Sequence, residues 1–186
     1  NRVRTIRQVA NKGLRPKTGK VSEAESLWEK SSRLLVVERA WLPTYRIVSI
    51  LVDEPVLSNV WWPIVIRNED HAKILALWLN STLGLLLLFS IAQVTRGPWI
   101  SIKKDTLRIL PVLDITRLSK ESSNLLLKLY NEICIRDFKP LPDEFNQPNV
   151  RKRIDDTFGE LLGLKNDLTE IYKLLARDPM ITGGTL

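Results

Sequence analysis

The 186-residue sequence contains one cysteine and one histidine, and this scarcity excludes several classes of protein. A single cysteine cannot form an internal disulfide framework, and it excludes zinc fingers whose ligands are cysteines. A lone histidine, His71, cannot form a histidine-rich catalytic metal site, and it makes a histidine-based catalytic triad a weak hypothesis. We therefore expect a chain with little conventional catalytic equipment.

Motifs that bind nucleotide cofactors are also missing. No two glycines are separated by a single residue, so the Gly-x-Gly-x-x-Gly fingerprint of dinucleotide-binding domains is absent. The run from Gly13 to Lys20 has five residues between its glycines, one more than a phosphate-binding loop has. None of the ten prolines adjoins another, which excludes the Pro-Pro-aromatic catalytic loop of adenine-specific DNA methyltransferases. We expect this chain to be no enzyme and to bind no cofactor itself.

Acidic residues are absent from residues 1–20, although the whole chain carries 21 of them. The net charge of +7 therefore resides in this basic arm, because the rest of the chain is balanced. Such a segment can bind the phosphate backbone of a nucleic acid, because neutralising the phosphates releases their counterions. It is equally typical of a solvated linker. Its basic residues are Arg2, Arg4, Arg7, Lys12, Arg15, Lys17 and Lys20.

The sequence divides into four parts that differ in composition and in hydrophobic pattern. Residues 1–25 lack apolar periodicity and form the basic arm or linker. Residues 26–116 combine short β-rich runs with one long apolar helix, which predicts an α+β domain with a small mixed sheet and a central buried helix. Residues 117–178 have helical periodicity and predict a C-terminal helical subdomain. Residues 179–186 are expected to form a flexible tail.

The β-rich runs of the second part are bounded by turn signals. The first three cover residues 33–38, 44–52 and 60–66, and Pro63 in the third run indicates an edge strand or a bulge. A further short strand is expected over residues 99–102. We expect these strands to form the predicted sheet.

The longest apolar stretch covers residues 74–92 and holds 19 residues without a charge. That length suits a membrane span, but Asn80-Ser81-Thr82 in its middle favours a helix buried in a protein core. We expect Asn68 or Asp70 to cap this helix, and Asn80 and Ser81 to form hydrogen bonds inside the fold. This interpretation places no part of the chain in a membrane.

Four expectations concern the helical part. Ser119 is a candidate cap for the first helix, and the prolines of residues 139–148 are expected to interrupt helical structure. Cys134 falls on an apolar stripe and is expected to be a small buried group. Arg151, with its basic neighbours, is expected on the exposed face of a later helix.

Short segments of the second part follow one another in an unusual order. Residues 77–84 include Leu-Asn-Ser, residues 95–100 include Arg-Gly-Pro-Trp, and residues 110–114 begin with Leu-Pro-Val after the Lys103-Lys104 pair. This succession resembles the C-terminal target-recognition region of adenine-specific DNA methyltransferases in restriction–modification and phage-defence systems. The resemblance covers about residues 28–114.

The resemblance implies a DNA-binding target-recognition domain, expected to be a C-terminal fragment of a larger DNA methyltransferase or restriction–modification enzyme. A first residue Asn1 and the lack of a visible signal peptide fit a fragment. The expected partners are double-stranded DNA and the upstream methyltransferase domain of the same parent protein. S-adenosylmethionine would bind that missing catalytic half, and the expected location is cytoplasmic.

DNA recognition needs side chains that fork onto base edges and others that hold phosphates. Arg96 lies beside Gly97 in a predicted turn, where its guanidinium projects freely, and Trp99 offers a flat face, although tryptophan is more often a core residue. We expect the contacting loops to share one edge of the domain. The candidates are Arg96, Lys103, Lys104, Trp99, Arg67, Asn68, Arg2, Arg4 and Arg7.

Two alternatives remain open. One is a protein-interaction or scaffold module that docks on a partner domain, in which the basic arm is a linker. The other is a divergent enzyme, which a polar pocket holding His71 with an acid would favour. DNA binding that weakens steeply as salt rises separates our interpretation from the first alternative.

Overall fold

The computed structural model describes residues 28–147, 150–164 and 168–184. Within these residues, two small antiparallel sheets and a helical C-terminal part give the α+β fold that the sequence predicts. Buried apolar side chains from both sheets and from the helices form one continuous core. The arm that carries Arg2, Arg4 and Arg7 lies outside the described residues.

The first sheet has the strand order β3-β1-β4. Its strands are β1 (Ser32–Val37), β3 (Ser49–Val56) and β4 (Trp61–Ile64). The strand β1 is central and almost fully buried, as expected of a run rich in Leu and Val. Pro63 lies in β4 at the edge of the sheet, where the missing N–H costs no ladder bond. The edge strand predicted from this proline is confirmed.

The second sheet has the order β2-β6-β5 and consists of β2 (Arg39–Trp41), β5 (Gln93–Arg96) and β6 (Trp99–Ser101). Since β1 and β2 are separated by Glu38 alone, one stretch of chain supplies a strand to each sheet. The Ile102 N–H donates to the Glu38 carbonyl (2.8 Å). Trp62 Nε1 in turn donates to the Ile102 carbonyl (2.7 Å). These bonds fix the second sheet to the first.

The long apolar stretch folds as two helices, α1 (Glu69–Asn80) and α2 (Thr82–Ile91), which are bent by 75° at Ser81. The Asn68 side chain caps α1 as predicted, accepting from the His71 N–H (3.0 Å). Ser81 caps α2. Within the described residues no single helix has the length and apolarity needed to cross a membrane, although the bent pair together meets both criteria.

Asn80, at the bend, makes four hydrogen bonds inside the fold. Its Oδ1 accepts from the backbone N–H groups of Val48 (2.9 Å) and Ser49 (3.3 Å). Its Nδ2 donates to the carbonyls of Ser49 (2.7 Å) and Ala76 (3.0 Å). The Ser81 hydroxyl accepts from the Gly84 N–H and thereby starts the next helix. The internal bonding expected of Asn80 and Ser81 is confirmed.

The remaining helices follow the second sheet. Residues 139–148, expected to interrupt helical structure, contain a short helix with prolines at its start, where a missing N–H is harmless. Residues 179–182, at the start of the predicted tail, form a helical turn whose Ile181 is buried. The helices are α3 (Lys104–Leu107), α4 (Lys120–Ile133, capped by Ser119 as predicted), α5 (Leu141–Asn146), α6 (Val150–Leu162), α7 (Thr169–Leu175) and α8 (Pro179–Thr182).

Arg151 is buried, with 1% of its surface exposed, so the prediction of a solvated side chain was wrong. Its guanidinium donates to the carbonyl of Asn80 and to that of Arg46 (2.8 Å). It also lies over the rings of Phe138 (5.7 Å) and Phe145 (6.0 Å). The physical reason is that the carbonyl ends around the α1–α2 bend need donors, and Arg151 supplies them from α6.

Two buried carboxylates accompany this guanidinium. Glu144 accepts from the backbone N–H of Lys139 (2.9 Å), and Asp155 accepts from the backbone N–H of Thr82 (2.7 Å) and from the Tyr172 hydroxyl. Burial lowers the pKa of Arg151 and raises the pKa of Asp155, and their mutual attraction opposes both shifts. This polar network fastens α5, α6 and α7 to the bend between α1 and α2.

Cys134 is exposed, so the prediction of a buried cysteine was also wrong. It lies one residue beyond Ile133, the last residue of α4, where the helix emerges from the core. Its thiol donates to the Asn131 carbonyl (3.4 Å). The apolar stripe of α4 therefore ends one residue before the cysteine.

Candidate nucleic-acid interface

The hairpin of β5 and β6 presents two of the predicted residues together. Arg96 pairs with Trp99 across the hairpin, and both side chains are exposed, Trp99 to 42%. The turn between them uses Gly97 with a φ of +53°, a conformation in which a side chain would be strained. The hairpin end therefore carries a cation next to a large aromatic surface.

Lys103 and Lys104 follow directly after this hairpin. Lys103 occupies the position before α3, Lys104 is its first residue, and both side chains are exposed. The nearby Asp105 forms an ion pair with Arg108 (3.4 Å) instead. Among the described residues, neither lysine nor Arg96 has an acidic partner within ion-pairing distance. Their charges are thus available to an anionic ligand.

Strand register extends the surface beyond the predicted residues. Trp41 of β2 pairs with Trp99 of β6, which pairs with Arg96 of β5. Residues directly opposite in antiparallel strands point to the same face. The ring centroids of the two tryptophans lie 5.5 Å apart at an angle of 59°. Trp41 and Trp99 therefore lie side by side on the exposed side of the sheet. The register of β5 shifts between Val94 and Arg96, and this shift pairs Arg96 with Trp99 as the third member of the row.

A second row runs parallel to the first. Arg39 of β2 pairs with Ser101 of β6, which pairs with Gln93 of β5. Arg39 and Gln93 are exposed, whereas Ala40 and Ile100, which point to the other side, are buried. We call the two rows together the outer face of the second sheet. Its residues are Arg39, Trp41, Gln93, Arg96, Trp99 and Ser101.

Arg67 and Asn68 lie elsewhere. They follow β4, whose last residue Ile64 accepts a hydrogen bond from the hydroxyl of Ser32 at the start of β1 (2.6 Å). The outer face pairs instead with β2, so the two groups lie at opposite ends of the β1–β2 stretch. The structure does not place Arg67 and Asn68 beside Arg96. Both are exposed, and the Asn68 side chain is engaged as the cap of α1.

Sequence reasoning missed Arg39, Trp41 and Gln93. The alternation of Arg39-Ala40-Trp41 is one of burial, with a buried residue between two more exposed ones, and the residue types alone do not show it. The sequence predicts that the first β-rich run ends at Glu38. Gln93 directly follows the apolar helix and likewise lacked any signal.

Metal-ligating side chains are scattered over the structure. Within the described ranges, no group of three or more His, Cys, Asp or Glu side chains is placed to hold a metal ion. His71 lies half-buried in the first turn of α1, beside the cap residue Asn68. The chemistry available at the surface is therefore that of cations, amides and aromatic rings.

What this surface binds has to be argued from its own charge and shape. It combines the exposed outer face of the second sheet with two free lysines at the end of β6. Comparisons with protein-family models, with curated proteins and with solved structures find no match for this chain.

Proposed function

We propose that this chain binds double-stranded DNA as the target-recognition domain of an adenine-specific DNA methyltransferase or restriction–modification enzyme. The supporting observation is that Arg96 and Trp99 at the hairpin turn, and Lys103 and Lys104 just after the other end of β6, are all exposed. None of the three cations has an acidic partner among the described residues. In this proposal the chain performs no bond-making. The methyltransferase domain of the parent protein supplies the S-adenosylmethionine site and the reaction.

The charges of this hairpin are arranged for phosphates. Guanidinium and ammonium groups that contact phosphates release counterions, which makes affinity fall as salt rises. Such contacts fix position and orientation on the duplex. The basic arm with Arg2, Arg4 and Arg7 is proposed to add further phosphate contacts. The proposed partner is therefore duplex DNA bound chiefly through its backbone at this patch.

The first test replaces the hairpin cations with alanine in the triple variant Arg96→Ala, Lys103→Ala, Lys104→Ala. We expect affinity for duplex DNA at about 0.1 M salt to fall at least about tenfold. The slope of log K against log salt should become shallower by about 2 to 3, because each lost phosphate contact removes about 0.9. Fluorescence anisotropy of a labelled duplex over a series of salt concentrations measures both quantities.

A matched control removes three cations that already have acidic partners. Arg117, Lys152 and Arg153 pair with Asp114, Asp156 and Glu132 respectively. Their triple alanine variant loses the same formal charge but should change the slope by less than one unit. Equal losses of DNA affinity in the two variants would show that net charge alone drives binding. The assignment of DNA contact to Arg96, Lys103 and Lys104 would then be wrong.

An apolar groove supports the second candidate, a docking module. It has a volume of about 320 Å³ and lies between β4, α1 and α3, lined by Trp62, Leu75 and Leu107 among others. Val112 at this groove is 46% exposed and the neighbouring Ile109 is 75% exposed. A complete lack of salt-dependent DNA binding would favour this second function over the first.

A further inference from the structure

We propose that the outer face of the second sheet enters the major groove and that Arg39 and Gln93 read base edges there. This inference rests on the proposed DNA binding and deepens it, because it assigns sequence selection to two residues outside the phosphate-binding patch. Arg96, Lys103 and Lys104 then position the domain, and the second row of the face selects the sequence.

The sheet is wide compared with the groove. Three strands spaced by about 4.8 Å place the axes of the two outer strands about 10 Å apart, and the major groove of B-DNA, about 12 Å wide, admits a two-stranded ribbon. The sheet therefore faces the groove, and the side chains of its outer face are the groups that enter it. At the hairpin turn, no described atom other than those of the chain neighbours of Gly97 lies within 4 Å of the position that a Cβ would take there.

The side chains of the second row have the chemistry of direct readout. An arginine guanidinium bonds to the O6 and N7 atoms of guanine, and a glutamine amide bonds to the N6 and N7 atoms of adenine. Arg39 and Gln93 flank Ser101, whose small side chain leaves space between them. Within the described part of the chain neither Arg39 nor Gln93 has a side-chain hydrogen-bond partner. Both therefore have unused donors on an exposed face.

The outer face is also free of groups that repel DNA. Its six residues include two guanidinium groups and no carboxylate. The nearest acid along the chain, Glu38, lies outside the strands and is half-buried. Charge complementarity therefore points to an anionic partner, and the uncharged amide of Gln93 on the same face points to a partner that also offers hydrogen-bonding base edges.

Base reading requires side chains that start from fixed positions, and this face provides them. Ala40 and Ile100 are 0% and 4% exposed and tie the underside of the sheet to the core. The contact between Trp41 and Trp99 crosses the same two strands on the outer side. The backbone position of Arg39 is thereby held from both sides of the sheet, and Gln93 is held through the pairing of β5 with β6.

The test uses the charge-conserving double variant Arg39→Lys, Gln93→Ala in the 186-residue chain. A random duplex library is selected with the wild-type protein, and the preferred duplex is then compared with an unrelated duplex. We expect the variant to lower the ratio of the two affinities about tenfold or more, because it loses two bidentate contacts. The salt slope on the unrelated duplex should stay unchanged, since no charge is lost.

The control variant Arg136→Lys, Gln147→Ala makes the same two replacements at exposed positions of the helical part, and it should keep the wild-type preference. A wild-type preference that survives in the Arg39→Lys, Gln93→Ala variant would overturn the inference while leaving DNA binding intact. Salt-dependent binding without any base preference in the wild type would also overturn it. If the wild-type protein does not bind DNA at all, the proposed function itself is overturned.

Discussion

Replacing Arg151 with alanine is expected to lower the free energy of unfolding by about 3–5 kcal/mol. The guanidinium is the donor for the buried carbonyl of Asn80 and for the partly buried carbonyl of Arg46, and without it both acceptors would lose their partner. The carboxylates of Asp155 and Glu144 are also buried and would lose their nearby positive charge. Urea unfolding monitored by the fluorescence of the six tryptophans measures the change.

Arg153 provides a control on the same helix. It is exposed and pairs with Glu132 at the surface, so Arg153→Ala should cost about 1 kcal/mol or less. The two substitutions remove the same side chain two positions apart. Similar effects for both would show that Arg151 is not an internal anchor of the fold.

Gly84→Ala is the second substitution with a large expected effect, a loss of about 3 kcal/mol. A Cβ at Gly84 would overlap the carbonyl oxygen of Trp78 and lie 2.9 Å from the Cα of Leu79. These obstacles are backbone atoms, so no side-chain rotation relieves the clash. The bend between α1 and α2 would have to open, and thermal unfolding followed by circular dichroism should show the lowered midpoint.

The matched control is Gly159→Ala in α6. Apart from its chain neighbours and the backbone of its own helix, no described atom lies within 4 Å of the Cβ position at Gly159, and alanine is favoured over glycine inside a helix by about 0.5–1 kcal/mol. This variant should therefore be slightly more stable than the wild type. A loss at Gly84 no larger than the change at Gly159 would contradict the close approach of the two helices.

Features set by neighbouring residues could be predicted from the sequence. Asn68 and Ser119 cap helices through bonds to N–H groups three residues away, and such bonds depend on local spacing. Pro63 marks an edge strand because the missing N–H is a property of the residue itself. The α+β class followed from the same local patterns.

Features set by distant residues could not be predicted. Arg151 is buried because it meets Arg46 and Asn80, which precede it by 105 and 71 positions. Its own helix carries both basic and acidic residues near Arg151, a pattern typical of a helix face that is exposed to solvent. Asn80, at the bend, likewise forms a hydrogen bond across to β3. Partners at such separations leave no periodicity in the sequence.

The candidate site divides in the same way. Arg96, Trp99, Lys103 and Lys104 are close in sequence and were predicted together. Arg39 joins them only through strand pairing across more than 50 positions, with its partner Ser101. Register is fixed by which side chains are buried on the opposite side of the sheet. That information becomes visible only once Ala40 and Ile100 are seen to pack into the core.

The tie between the second sheet and the core determines how any ligand of its outer face is held. The strands β2 and β6 under that face are tied to the core through Ala40, Ile100 and the bond from Trp62 to Ile102. For the described residues of this face, association therefore restricts mainly the rotations of a few exposed side chains. A preorganised surface of this kind should bind with a small change in heat capacity. Substitutions of the core residues beneath it should weaken the affinity for the ligand, although these residues do not contact the ligand.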